Sequence, residues 1–232
     1  MRTRKQTARL TGILYFAMSL PAAISLTYFS SRFVVPGDPA ATAAKITGAT
    51  DLYRLLVLAD VISGFLVLCL AVTAYKLFED VNKTYARLMV LCLIVQAAMQ
   101  FAVVMAQLAP LVVLNGGKYW SAFTQSQLEA LAQGFLVLRG QGVGAMSIYW
   151  GLWLLPVGLL TYKSGFIPRI IGILVFIAGC AYVVSALSFF VLPAYYRTIF
   201  WAAAPVYGLG ELTFITYLII KGVQSERLEA AA

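Results

Sequence analysis

The sequence predicts an all-α, polytopic membrane protein: six transmembrane helices in a bundle, with short helices on the outer surface. Three observations carry this. Of 232 residues, 62% are hydrophobic and only 11% charged, whereas soluble domains carry roughly 25% charged residues. The apolar residues gather into six runs, each of about 20 residues or more, the length that crosses a bilayer's hydrocarbon. Most charges lie between those runs rather than within them. One domain suffices for this length, so residues 1–232 are expected to form a single integral membrane domain with spans at about 10–29, 51–76, 85–114, 142–162, 168–191 and 199–221.

The first run follows Arg2, Arg4, Lys5 and Arg9. A basic start before an apolar run can be a signal peptide, but this run has spanning length and no small-residue cleavage site closes it. It is therefore expected to remain as the first span. Pro36-Gly37 then marks a turn; Asp38 can cap a helix and Pro39 suits its first position. The Ala-rich segment from there to about Thr47 is too short to cross, and is expected as a helix on the outer surface. The second span starts near Asp51. Residues 77–84 form a charged connection to the third span, which carries Gln96, Gln100 and Gln107. At 100° per residue these glutamines lie within about 40° of one another, so they make one polar stripe that should face the bundle.

Asn115-Gly116-Gly117-Lys118 is a loop, and Ser126-Gln127-Leu128-Glu129 has capping-box spacing. From there to Thr161 a helix would run roughly 54 Å, too long for hydrocarbon alone. A break or bend is expected at Gly140-Gln141-Gly142-Val143-Gly144, ahead of the fourth span. That glycine run lacks the spacing and the preceding strand of a phosphate-binding fingerprint. Gly165 suits the end of the fourth span and Pro168 the start of the fifth. Residues 193–197 are expected as a loop before the sixth span, and residues 226–232 as a solvated tail. Trp150, Trp153, Tyr195, Tyr196 and Trp201 are expected as interface anchors or packing.

Net charge is +8, from 17 Lys and Arg against nine Asp and Glu. In a soluble chain this could mean nucleic acid; between apolar runs it is the topological bias of membrane proteins, and no nucleic-acid partner is expected. Six spans put both termini on one side. Eleven of the 17 basic residues fall on that side and six on the other, which places both termini in the cytoplasm. No His is present, which removes the commonest metal ligand and general base; neither a metal nor a cofactor is expected. Cys69, Cys92 and Cys180 lie singly in different runs, where they should be small buried hydrophobes rather than a disulfide framework.

The chemistry-bearing candidates are few. Glu211 lies ten residues from Lys221, about 15 Å deep and near mid-membrane, where a charge is costly and must be neutral, paired or hydrated. Within its own helix only the Tyr207 hydroxyl could donate to it, so its partner should come from another helix, from water or from a proton. Asp60 also lacks a partner in its own helix, at about 24 Å from the Lys76 end; Gln96 and Gln100 come to about 18 and 24 Å. Arg54 and Arg139 lie near the outer boundary and can reach inward on apolar stems. Arg54, Asp60, Gln96, Gln100, Arg139 and Glu211 are thus the candidate binding residues; the two acids are expected to share one buried network with Gln96, Gln100 and at least one of the arginines, open toward the outside if it is a binding cavity.

Val35-Pro36-Gly37-Asp38-Pro39-Ala40-Ala41-Thr42-Ala43-Ala44-Lys45-Ile46, the Tyr53-Arg54…Asp60 spacing, the turn Tyr162-Lys163-Ser164-Gly165-Phe166-Ile167-Pro168-Arg169-Ile170-Ile171-Gly172 and Gly210-Glu211-Leu212 resemble a bacterial multi-pass family, domain of unknown function 4386. The resemblance covers nearly the whole chain, in the same order. It implies a six-helix protein of the bacterial inner membrane and brings no activity with it. Family members tend to carry His where this chain has Arg139, so chemistry needing an imidazole there is not implied.

Three functional classes follow. The first is an accessory or sensory membrane protein with a buried polar network and the lipid bilayer as its partner. The alternative is a transporter or binder of a small molecule or a proton, with an outward-facing cavity at Asp60 and Glu211. An intramembrane enzyme ranks last, because acid–base work would fall to two acids alone.

Overall fold

The protein, described here by a computed structural model covering residues 3–224, is helical throughout its regular structure. Six helices are long and apolar enough to cross a membrane: α1 (Arg4–Phe33), α3 (Thr50–Phe78), α4 (Lys83–Leu114), α5 (Gln125–Lys163), α6 (Arg169–Val191) and α7 (Pro193–Ile220). The short helix α2 (Pro39–Thr47) follows α1. These six make it a multi-pass membrane protein. The expected tail, 226–232, lies outside the described residues.

The ends of these helices follow from local chemistry. Asp38 caps α2, its Oδ1 accepting from the Ala41 N–H at 2.9 Å, with Pro39 at the first position. The capping box ahead of α5 is two residues earlier than expected. Thr124 and Gln127 form it, with the Thr124 N–H donating to Gln127 Oε1 at 2.8 Å and the Gln127 N–H to Thr124 Oγ1 at 3.4 Å. Thr-x-x-Gln satisfies the same two orphan donors as Ser-x-x-Glu. Gly165 takes φ +72° just past α5, a left-handed position that glycine adopts without strain. Residues 193–197, expected as a loop, are instead the first turns of α7, because Pro193 needs no N–H partner at a helix start.

α5 does not break where a break or bend is expected. It runs unbroken through Gly140, Gly142 and Gly144 for 39 residues. Gly142 and Gly144 serve packing instead, while a Cβ on Gly140 would meet nothing within 4 Å. A Cβ on Gly142 would lie 2.8 Å from the Val103 side chain, and one on Gly144 2.5 Å from Phe189.

The chain divides into two compact units. One comprises Met1–Ala17, Leu66–Ala97 and Gly144–Ala232; the other comprises Met18–Phe65 and Ala98–Val143. In the first, glycines let helix backbones approach. A Cβ on Gly158 would meet the Phe176 backbone nitrogen at 2.7 Å, and one on Gly210 the Leu174 carbonyl oxygen at 2.7 Å. Small residues at such crossings are how helices associate in lipid, where burial of apolar surface supplies no preference. The second unit has an aromatic core. Phe29, Phe33 and Tyr53 are fully buried, with ring centroids 5.0–5.4 Å apart, and Ile46 of α2 packs into the same cluster. The three cysteines are free and none is buried; Cys180 is exposed, so the expectation that they are core residues does not hold.

Candidate functional site

The second unit gathers polar groups around Arg139. The local cause lies in α1. Pro21 removes one backbone donor from that helix, and one turn later Ser25–Phe29 winds as a π-helical turn. Such single turns are commonly functional. Both of its buried residues meet Arg139. The Arg139 Nη2 donates to Ser25 Oγ at 2.7 Å, and the guanidinium carbon lies 4.2 Å from the Phe29 ring centroid. Ser25 in turn donates to Asp60 Oδ2 at 2.6 Å, so one hydroxyl relays between cation and carboxylate. Direct Arg139–Asp60 separation is 3.8 Å.

The glutamine stripe supplies the remaining contacts. Arg139 Nε donates to Gln107 Oε1 at 3.1 Å. The Tyr53 hydroxyl donates to the Gln107 carbonyl at 2.6 Å. Gln100 Nε2 donates to the Asp60 carbonyl at 3.1 Å. Asp60 and Arg139 are each 6% exposed. At 3.8 Å and an effective dielectric near 20, their gross attraction is about 4 kcal/mol, similar to the several kcal/mol each ion loses on leaving water. The pair therefore adds little net stability. Groups from α1, α3, α4 and α5 meet in this one cluster.

The first unit builds a different site at Glu211. Tyr15 of α1 donates to Glu211 Oε2 at 2.5 Å, and Tyr182 of α6 donates to Oε1 at 2.7 Å. Rings surround these donors. Trp153 lies edge-on to Tyr15 at 4.9 Å, Trp150 edge-on to Tyr182 at 5.9 Å, and Tyr207 stacks on Tyr182 at 3.7 Å. Tyr207, the only candidate donor within α7, bonds instead to Ser185. Among the described residues no ion pair involves Glu211. Gly210 makes the arrangement reachable, because α6 passes so close that no side chain fits there.

The expected residues thus separate. Asp60, Gln100 and Arg139 come together; Glu211 has its own partners in the other unit. Each carboxylate has its own partners: Ser25 for Asp60, Tyr15 and Tyr182 for Glu211. Gln96 is buried with its Oε1 unpaired, and Arg54 is exposed at the surface of α3. Ser25, Tyr15 and Tyr182 were not singled out by sequence, whereas Tyr53 was, within the Tyr53-Arg54…Asp60 spacing. Pro21, four residues before Ser25, was the available signal for the first. For the tyrosines no signal distinguished hydroxyls that bond across helices from anchors at an interface.

A family model described as "Domain of unknown function (DUF4386)" matches residues 10–222. The chain belongs to that family. A protein of Archaeoglobus fulgidus, described as "Uncharacterized protein", is 35% identical over 78 residues, which cover 32% of this chain and 43% of that protein. The chain thus spans less than half the length of that relative. No solved structure matches. The DUF4386 match takes in every residue of both clusters, from Tyr15 to Glu211.

Proposed function

We propose that this DUF4386 protein is an accessory or sensory component of a bacterial inner membrane, a single membrane domain whose buried polar residues lock its helices in register. The observation that carries this is that the contacts of buried Arg139 come from within the chain. Its guanidinium is held by Ser25, Gln107, Asp60 and the Phe29 ring, all from the same chain. The eleven-to-six distribution of basic residues supports cytoplasmic termini.

A second reading, a small-ligand binder, is favoured by one atom: Gln107 is fully buried and its Nε2 makes no hydrogen bond of ordinary length, although it interacts with the Asp60 carboxylate. Orphaned buried donors are uncommon and ask for a reason. Reconstitution separates the readings. Vesicles holding the protein and an entrapped pH dye should dissipate an imposed proton gradient no faster than protein-free vesicles. A faster, saturable dissipation that Asp60→Asn abolishes would replace the accessory reading with transport.

A further inference from the structure

At the loop that joins α5 to α6, three features converge on one ligand class. The first is an apolar groove of about 240 Å³, lined by Gly158, Tyr162, Gly172, Ile173, Phe176 and Ile177. It lies between two helices that touch backbone to backbone, since a Cβ on Gly172 would sit 2.5 Å from the Tyr162 nitrogen. Ile173 and Ile177 are 42% and 48% exposed, so the groove opens toward whatever surrounds the helices. The second feature is charge at its mouth. Arg169 lies with its guanidinium carbon 5.6 Å from the centroid of the lining Tyr162 ring, and Lys163 follows Tyr162 directly, its Nζ 5.2 Å from the Tyr85 ring. Both cations are exposed, and among the described residues neither forms an ion pair. The third is the start of α6, where no side chain caps the first turn. The Ile171 N–H bonds the Pro168 carbonyl at 3.0 Å, and the positive end of the helix dipole adds a further attraction for an anion.

We infer that this groove is a binding site for an anionic phospholipid, one acyl chain lying along Gly158, Ile173 and Ile177 and the phosphate seated between Arg169, Lys163 and the start of α6. The occupant is fixed by the combination. A membrane-spanning chain presents this groove to hydrocarbon, which supplies chains, and its mouth to the headgroup layer, which supplies phosphates. Basic pockets between transmembrane helices bind anionic headgroups by this complementarity. A free phosphate would satisfy the cations but leave the groove unused; a zwitterionic lipid would fill the groove and gain less from the cations. The inference does not depend on which side of the membrane the loop faces.

Native mass spectrometry of the full chain in detergent tests it, with phosphatidylglycerol and phosphatidylcholine of identical acyl chains. The protein should retain phosphatidylglycerol in preference. The double variant Lys163→Gln, Arg169→Gln should bind it roughly thirtyfold less tightly, at about 1 kcal/mol per basic residue, with phosphatidylcholine little changed. Ile177→Trp, at an exposed position, should reduce occupancy by both lipids. Lys45→Gln with Lys118→Gln, in the other unit, should change nothing. Equal retention of the two lipids by the native chain, or an unchanged preference in the Lys163/Arg169 variant, overturns the proposal. So does displacement of the lipid by millimolar inorganic phosphate, which would mark an anion site without a chain.

Discussion

Replacing Glu211 by Gln should be nearly neutral, whereas removing its tyrosine donors should not. Two O–H groups converge on this carboxyl, from Tyr15 at 2.5 Å and Tyr182 at 2.7 Å, and no cation is paired with it among the described residues. A glutamine keeps the shape, accepts from one tyrosine through its oxygen, and donates to the other through its amide. The expected change is within about 1 kcal/mol, the net worth of one hydrogen bond exchanged for another. Tyr15→Phe leaves Oε2 without that donor beside a fully buried ring, at about 1–3 kcal/mol for an unsatisfied buried acceptor. Tyr182→Phe should cost a similar amount despite its ring remaining stacked on Tyr207. Thermal unfolding in detergent reads all three, at about 2–4 °C per kcal/mol for a chain of this size. A Glu211→Gln loss as large as the Tyr15→Phe loss would refute the reasoning, because it would mean that an ionised Glu211 holds a buried cation, whose removal from pairing costs several kcal/mol.

Other consequences are as specific. Gly210→Ala should destabilise by about 1–3 kcal/mol, since its Cβ meets a backbone carbonyl oxygen at 2.7 Å and neither helix can yield without repacking. Gly208→Ala, two residues earlier with nothing within 4 Å, should be neutral or stabilise by up to about 1 kcal/mol, as helical Gly→Ala changes do; comparing the two melting temperatures checks the pair. In a cysteine-free background, Tyr119→Cys, at a residue 94% exposed, should react with an impermeant maleimide from outside intact cells. Gln224→Cys should react only after permeabilisation, and labelling of both from outside would reject the six-span orientation.

Much of this architecture is written in short-range pattern. Run length alone predicted six helices of membrane-crossing length, because a helix in lipid must be apolar for its whole length. Asp38, Pro39 and Gly165 marked helix ends because caps and left-handed turns depend on a few adjacent residues. The glutamine stripe faced inward as expected, because periodicity within one helix settles which side a residue takes: Gln96, Gln100 and Gln107 are all buried. Partner choice was not legible, because it depends on which helix faces which. Asp60 and Glu211 lie at depths that suggested one network, yet each carboxylate has its own donors. Ser25 reached Asp60 only through a π-helical turn, which shifts register in a way that a fixed 100° step cannot anticipate. α5 continues where three closely spaced glycines favour a break locally, and two of them, Gly142 and Gly144, sit in tight contact with Val103 and Phe189.

A double-mutant cycle on Asp60 and Arg139 bears most directly on the claim that this network sets helix register rather than supplying stability or chemistry. Arg139→Met leaves a buried carboxylate whose Ser25 relay has lost its donor, and Asp60→Leu leaves a buried guanidinium. Each single change should cost about 3–5 kcal/mol in detergent unfolding, as breaking one side of a buried pair does. The double variant, with both charges replaced by apolar side chains of similar bulk, should unfold within about 1–2 kcal/mol of the native protein. A double variant that loses the sum of the two single effects would contradict the account, since the charges would then be acting through separate partners.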